Sequence, residues 1–394
     1  MFNKVSLQDW ENLVKKQLKT ENIQDVLVKE NLEGIVVKPY YNEVSVPLRN
    51  LPKVEESTHL VAKYQDDLHD YAYAFLVENS DTELKEKSIF VSQNIIFDEF
   101  KFSTENTYFS LSDVFNDLGD GTHGFRYHLN KNYAEKLLAQ PYERNIAVNV
   151  ASHQNAGASI TQQLAIALAK TKELTEVFGA EILKKLVFHF AIGGNYFFEI
   201  AKIRAFKLLF NQLSKEFGEN EIPYIFVETS LRNKTKNDEE NNIIRSTLEL
   251  SAAMIGGADA VFTNDYKLQN STTLSEEISF KQQIVLAYES IINVFEDASN
   301  GSYFVEDATQ QFAKNAWKLF LNIEEDGGYI ESLQKGTIQK MVYNQAIAEQ
   351  NWVREGRIKL IGVNLYPKLE KTKSAEEMYS EYQMKPVRWA EMFE

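Results

Sequence analysis

Apolar and polar residues alternate along this chain with two periods, and the boundary between them moves. From residue 145 the pattern is sharp. Apolar runs at 146–150, 186–192, 224–228 and 259–263 read as buried strands, and a helical pattern follows each one. Their starts lie about 36–40 residues apart, the spacing of successive βα units on a parallel sheet. After the first strand comes a polar loop. Ser159 with Gln162 then forms a capping box, and Ile160, Leu164, Ala167 and Leu168 share one helix face. After the second strand, Phe197, Ile200, Ala201 and Leu208 do the same. This pattern fits either a barrel or an open doubly wound sheet.

The flanks read differently. Ser6 and Asp9 predict a cap for an amphipathic helix with the stripe Leu7, Trp10, Val14, Leu18. A turn at Glu33–Gly34 leads into the extended Ile35–Tyr41, an arm that packs on the body or on a partner. Short strands are expected at 71–77, 88–91 and 107–111, with a turn cluster at Gly119–Gly124. Beyond residue 300, Val305, Ala308, Phe312, Ala316, Leu319 and Ile323 mark one helix, stopped at Gly327–Gly328. A second helix over 331–354 and a short strand, Leu360–Val363, follow. Residues 368–377 read as a linker, and the last residues as a tail docking through Trp389 and Phe393.

Composition narrows the function. A net charge of −15 and a pI near 5.1 argue against nucleic acid. With no cysteine, disulfides, thiolate metal sites and a cysteine nucleophile are excluded. The first residues carry no signal-type apolar region, and no run approaches the ~20 apolar residues that span a bilayer. The expectation is a cytoplasmic protein, with no membrane partner.

Five segments, in order, resemble the methylmalonyl-CoA mutase family: residues 4–19 with 33–41, then 188–210, 241–265, 297–336 and 360–367. The likeness is good over 1–43 and 145–367 and poor over 44–144. It implies a (β/α)8 (TIM-type) barrel binding an acyl-CoA along its axis. A separate flavodoxin-like domain carrying adenosylcobalamin caps that barrel. The implied activity of the assembly is the interconversion of succinyl-CoA and methylmalonyl-CoA. Residues 44–144 leave little room for the early units, so the first half of the barrel is expected to be shortened or degenerate.

Catalytic members carry Tyr-His-x-Gln-Glu-Ala-Gly at one strand end, where the histidine stabilises charge on the thioester carbonyl. Here the residues are Ala151, Ser152, His153, Gln154, Asn155, Ala156 and Gly157. Ser152 replaces the histidine. His153, one residue along, points elsewhere on a strand-end backbone and reads as a locally bonded loop histidine. A second family loop, Arg-Thr…Gln-Thr-Ser-Gly-Trp, keeps only Thr229 and Ser230, and continues into the charged, solvated-looking 233–240. The cobalamin signature Asp-x-His-x-x-Gly is met only in part, by Asp67 and His69 with Ala72 at the glycine position; His69 reads as a surface histidine. His59, His123, His128 and His189 lack metal spacing, and His189 reads as a core residue.

Gln154, Asn195 and Asn264 match family positions and are the vestigial substrate-site candidates. Asn195 and Asn264 sit where a polar residue caps the next helix. Lys202 and Arg204 fit helix packing or an interface. No catalytic or metal residue is expected. The resemblance implies the small, non-catalytic subunit of a heterodimeric mutase, stabilising a large catalytic subunit that holds adenosylcobalamin. The expected layout is a partner-wrapping arm over 1–50, the barrel over 51–300, a helical unit over 301–367, and a linker and tail over 368–394. The alternative is a catalytic substrate-binding chain whose cobalamin domain is a separate subunit.

Overall fold

A computed structural model of the chain describes residues 5–42, 50–63, 71–77, 85–92, 100–116, 127–367 and 371–394. The Asp67–His69 segment, the turn cluster with His123, and part of the expected linker lie outside these residues.

Eight short apolar stretches pair as one parallel sheet. They are β1 (His59–Lys63), β2 (Ala74–Val77), β3 (Ser88–Val91), β4 (Thr107–Ser110), β7 (Ile146–Asn149), β8 (Leu186–Ile192), β9 (Tyr224–Thr229) and β10 (Ala260–Phe262). A small antiparallel pair, β5 (Phe115–Asn116) and β6 (His128–Leu129), sits in the connection between β4 and β7. The sheet order is β4-β3-β2-β1-β10-β9-β8-β7. Parallel bridges Phe109–Arg144 and Asp113–Ala147 join its two edges and close a barrel. The barrel reading therefore holds over the open sheet. All eight strands survive, and the shortening falls on the connections: β2, β3 and β4 begin 74, 88 and 107 residues into the chain, against 186, 224 and 260 for β8 to β10.

Period 2 sorts each strand into an outer and an inner face. Outward, Phe188 and Phe190 pack on Phe206 and Phe210 of α6 (Tyr196–Glu216). Inward, Val61, Phe90, Phe109, Val187, Tyr224, Phe226 and Phe262 form a separate buried cluster. Its rings stack: Phe90 lies 4.9 Å from both Phe109 and Phe226, and Phe109 lies 4.9 Å from Tyr224. The axis of this barrel is solid aromatic core.

The remaining helices position the loops at the strand C-termini. α3 (Lys131–Leu138) precedes β7. The residues read as a polar loop after β7 instead form a helical turn, α4 (Ala151–Ala156), stopped by Gly157 at φ +111°. A Cβ there would also stand 2.4 Å from Ala346, so the turn needs glycine twice over. α5 (Ile160–Phe178) starts on the expected Ser159–Gln162 capping box. α7 (Asn241–Ile255) and α8 (Thr273–Ile284) follow β9 and β10, and α9 (Tyr303–Glu325) packs across α5 and α6. The helix expected over 331–354 is two, α10 (Tyr329–Lys335) and α11 (Thr337–Arg354), because Gly336 adopts φ +81° between them. Leu360–Val363 is a turn held by Asn364, not a strand.

The arm divides into two parts. Residues 29–41 lie on the chain's own body: Ile35 is buried, the Val36 amide donates to Gln311, and Lys38 pairs with Asp307 at 3.1 Å. The helix α1 (Leu7–Leu18) carries the expected Ser6–Asp9 box but has no buried residue. A short turn, α2 (Gln24–Leu27), joins the two parts. At the other end, α12 (Ala375–Met378) lies within the expected linker and buries Ala375 and Met378 against α11. Trp389 and Phe393 dock as expected, against Val353, Leu360 and Ala390.

Candidate functional site

In a parallel barrel, chemistry gathers on the loops after the strands. Three such loops meet here. The turn α4 follows β7, Gly193–Gly194–Asn195 follows β8, and residues 230–237 follow β9.

On α4, the backbone points the residues of the substituted motif in different directions. The Ser152 amide donates to Asn149 at 3.3 Å. His153 turns away from the axis and is fully buried, with Nε2 2.8 Å from the Tyr329 hydroxyl and Nδ1 3.3 Å from Ser152 Oγ. Its hydrogen-bond partners are thus its neighbour Ser152 and Tyr329 of α10. Gln154 Oε1 accepts from Ser230 at 3.1 Å, and Asn155 Oδ1 accepts from the Leu231 amide at 3.1 Å. Gln154 and Asn155 thus tie the β7 turn to the β9 loop.

That β9 loop is not solvated. Arg232, Asn233, Lys234 and Thr235 are all buried. Lys234 meets Glu249 of α7 at 2.6 Å; burial pushes the lysine down and the glutamate up from their ordinary ranges. Arg232 pairs with Glu349 of α11 at 2.7 Å and donates to Tyr379 and the Val387 carbonyl. The rings of Tyr379 and Trp389 each lie 5.6 Å from its guanidinium. The charged letters that suggest a mobile loop are partners of carboxylates on α7 and α11, distant in sequence.

The other candidates separate. Asn195 occupies the N-cap of α6 but makes no side-chain cap bond, which corrects the capping expectation; Glu199 takes the Gly193 amide at 2.9 Å instead. Asn264 laces two strand ends, donating to the Thr229 carbonyl at 2.7 Å. Gln154 and Asn195 line a cavity of about 500 Å³, and Asn264 does not. Lys202 and Arg204 are buried ion-pair members on α6, to Glu199 and to Asp297 and Glu306. His189 is the larger correction. It shares the inward face with Val187 and Phe226, edge-on to that ring at 5.0 Å, with Glu228 3.5 Å away. An apolar run hides the period that turns it to the axis.

Sequence reasoning missed Glu33, Glu199, Glu349 and Lys170. Lys170 pairs with Asp113 at 2.8 Å beneath the Asn149 carbonyl. The Lys170–Asp113 and Arg232–Glu349 pairs join residues far apart in sequence, so no local spacing marks them, whereas Glu199 meets Lys202 one helical turn on.

The residues present do not fit adenosylcobalamin or an acyl-CoA thread. The tail crosses the strand-end face, where the Val387 amide binds the Asn155 carbonyl and the Trp389 amide binds the Arg232 carbonyl. Phe90, Phe109, Tyr224 and Phe226 fill the axis below. Among the described residues no group of three or more His, Asp or Glu side chains could hold a metal ion, and no helix is long and apolar enough to cross a membrane.

Comparison with known proteins agrees with the motif order. The profile of the methylmalonyl-CoA mutase family matches residues 132–392. The methylmalonyl-CoA mutase small subunit of Porphyromonas gingivalis is 36% identical over 240 residues, 58% of this chain and 39% of that one. The methylmalonyl-CoA mutase of Rhizobium meliloti is 30% identical over 57% of this chain and 33% of its own. The large subunit from Propionibacterium freudenreichii subsp. shermanii is 29% identical over 59% and 34%. The matches thus span little more than a third of these relatives. With the profile covering most of the chain and the eight-stranded barrel in place, this chain belongs to the methylmalonyl-CoA mutase family.

Proposed function

We propose that this chain is the non-catalytic small subunit of a heterodimeric methylmalonyl-CoA mutase. In this reading it stabilises a large catalytic subunit that holds adenosylcobalamin and interconverts succinyl-CoA and methylmalonyl-CoA in the cytoplasm, within propionate metabolism. One observation carries the reading: the barrel axis, the path of the acyl-CoA in catalytic members, is packed with stacked aromatic rings. Threading a pantetheine through it would cost the burial of several rings, each worth roughly 3–5 kcal/mol. Ser152 at the family histidine position and the buried β9 loop point the same way. The name of the Porphyromonas gingivalis relative adds support.

A binding surface is available. α1 exposes Leu7, Leu13 and Leu18, while Trp10 on its apolar stripe meets Tyr40 of the arm at 5.5 Å. Co-expression with a long mutase chain tests the reading: the two should co-purify at fixed stoichiometry through gel filtration. Separate elution at micromolar concentration would sink it. The alternative, a catalytic substrate-binding chain paired with a separate cobalamin subunit, requires an open axis.

A further inference from the structure

The cavity of about 500 Å³ beside the β8 and β9 loops belongs to neither the axis nor α1. Its size is that of a small-molecule site. Leu32, Ile160, Trp352 and Trp389 supply apolar wall, and the arm closes one side through Asn31 and Glu33. We propose that this cavity binds a small organic ammonium ion, whose charge pairs with the Glu33 carboxylate.

The charged groups on the elements facing Glu33 are committed elsewhere or lie at the cavity edge. On α6, Glu199 is matched by Lys202 at 2.5 Å. On α11, Glu349 is matched by Arg232 at 2.7 Å. Arg245 of α7 is committed to Asn242 at 2.8 Å and to the Ile361 carbonyl at 2.8 Å, and Lys359 is exposed on the rim. Glu33 has no cationic partner among the described residues. Its oxygens take the Ile160 and Thr161 amides at 3.0 and 3.4 Å, at the start of α5. Those amides hold a carboxylate in place, but they carry only partial charge. Burial pushes the Glu33 carboxyl up to about 7; the Ile160 amide opposes this, and the Glu349 and Glu199 charges add to it. Arg245 and Lys359 line the cavity too, but neither pairs with Glu33, and near neutrality a proton neutralises its carboxylate.

A second observation points into the same space. Gln154 is 8% exposed and spends its Oε1 on Ser230, while its Nε2 lines the cavity with no acceptor among the described residues. An amine that also carries an acceptor oxygen would satisfy both groups. Apolar walls with a few convergent polar groups suit such a ligand.

The test is calorimetric titration of the purified full chain at pH 8 with 2-amino-1-phenylethanol, and with 1-phenyl-1,2-ethanediol as its neutral isostere. The proposal expects single-site saturation by the amine and at least tenfold weaker binding of the diol. Glu33→Gln should weaken the amine tenfold or more while the chain stays folded, with a melting temperature at pH 8 no lower than that of wild type. Asn195→Lys, at an exposed position that caps nothing, places an ammonium in the cavity and should block the probe without touching Glu33. Lowering the pH to 6 should weaken wild-type binding by about tenfold as the proton competes. Absence of saturable amine binding, equal affinity for amine and diol, or full affinity in Asn195→Lys would overturn the proposal. Because the titration uses the isolated chain, none of these results bears on the assembly role.

Discussion

At the level of single residues, Ser152 and Phe226 define the barrel's state from opposite ends. If the aromatic cluster closes the substrate path, as proposed, restoring the family letter does not restore a site. Ser152→His should therefore give no mutase turnover in the isolated chain supplied with adenosylcobalamin and methylmalonyl-CoA, followed by product chromatography. Turnover above background would refute the idea of a closed axis. Phe226 packs tilted against Phe90 and edge-on to His189 on the inner face. Phe226→Ala should lower unfolding free energy by about 3–5 kcal/mol in urea titration, the cost of a large cavity in packed core. Glu33 adds a pH term. Its folded-state value near 7 lies above the ordinary 4.5, so the folded chain binds more protons between those limits. The stability it contributes is complete below about 4.5 and is lost as pH rises through 7. Between pH 5 and 8 wild type should lose on the order of 1–3 kcal/mol from this group, after solvent screening, and Glu33→Gln should remove that slope. Urea midpoints at the two pH values give the answer.

Among the elements, the β9 loop and the tail form one unit around Arg232. The guanidinium sits between Glu349 of α11, Tyr379 and Trp389, and the tail amides bond the loop carbonyls. Removing the guanidinium leaves Glu349 without its partner and unseats Trp389. Arg232→Ala should cost about 3–5 kcal/mol and raise protease cleavage within residues 380–394. A loss under about 1 kcal/mol would show that the tail docks by other means. The strong helices and the late strands were legible in the sequence because each carries its signal locally: a capping box at Ser159, a 3.6-residue stripe from Val305, six apolar residues among the seven of β8. The β9 loop was not, because its lysine and arginine find their carboxylates on α7 and α11. The break at Gly336 was missed for a different reason. The helical stripe runs on either side of it, and only the backbone shows that the two stretches point apart.

The whole molecule is an eight-stranded barrel with a buried aromatic cluster on its inner face. The motif order in the sequence was enough to choose the barrel. The closure was not legible, since strands of four residues with short connections carry little periodicity, and the filled axis required knowing which alternate residues turn inward. His189 and Phe226 lie in runs that are apolar on both faces. The arm follows the same division. Residues 29–41 bind the body, whereas α1 buries nothing, so deleting the first 20 residues should leave the melting temperature unchanged within about 1 °C and abolish co-purification with the large subunit. A large loss of stability would place α1 in the fold instead. If the aromatic cluster keeps acyl-CoA out of this barrel, calorimetric titration of the isolated chain with methylmalonyl-CoA should show no saturable heat up to millimolar ligand; one-to-one binding at micromolar concentration would mean that the axis admits substrate.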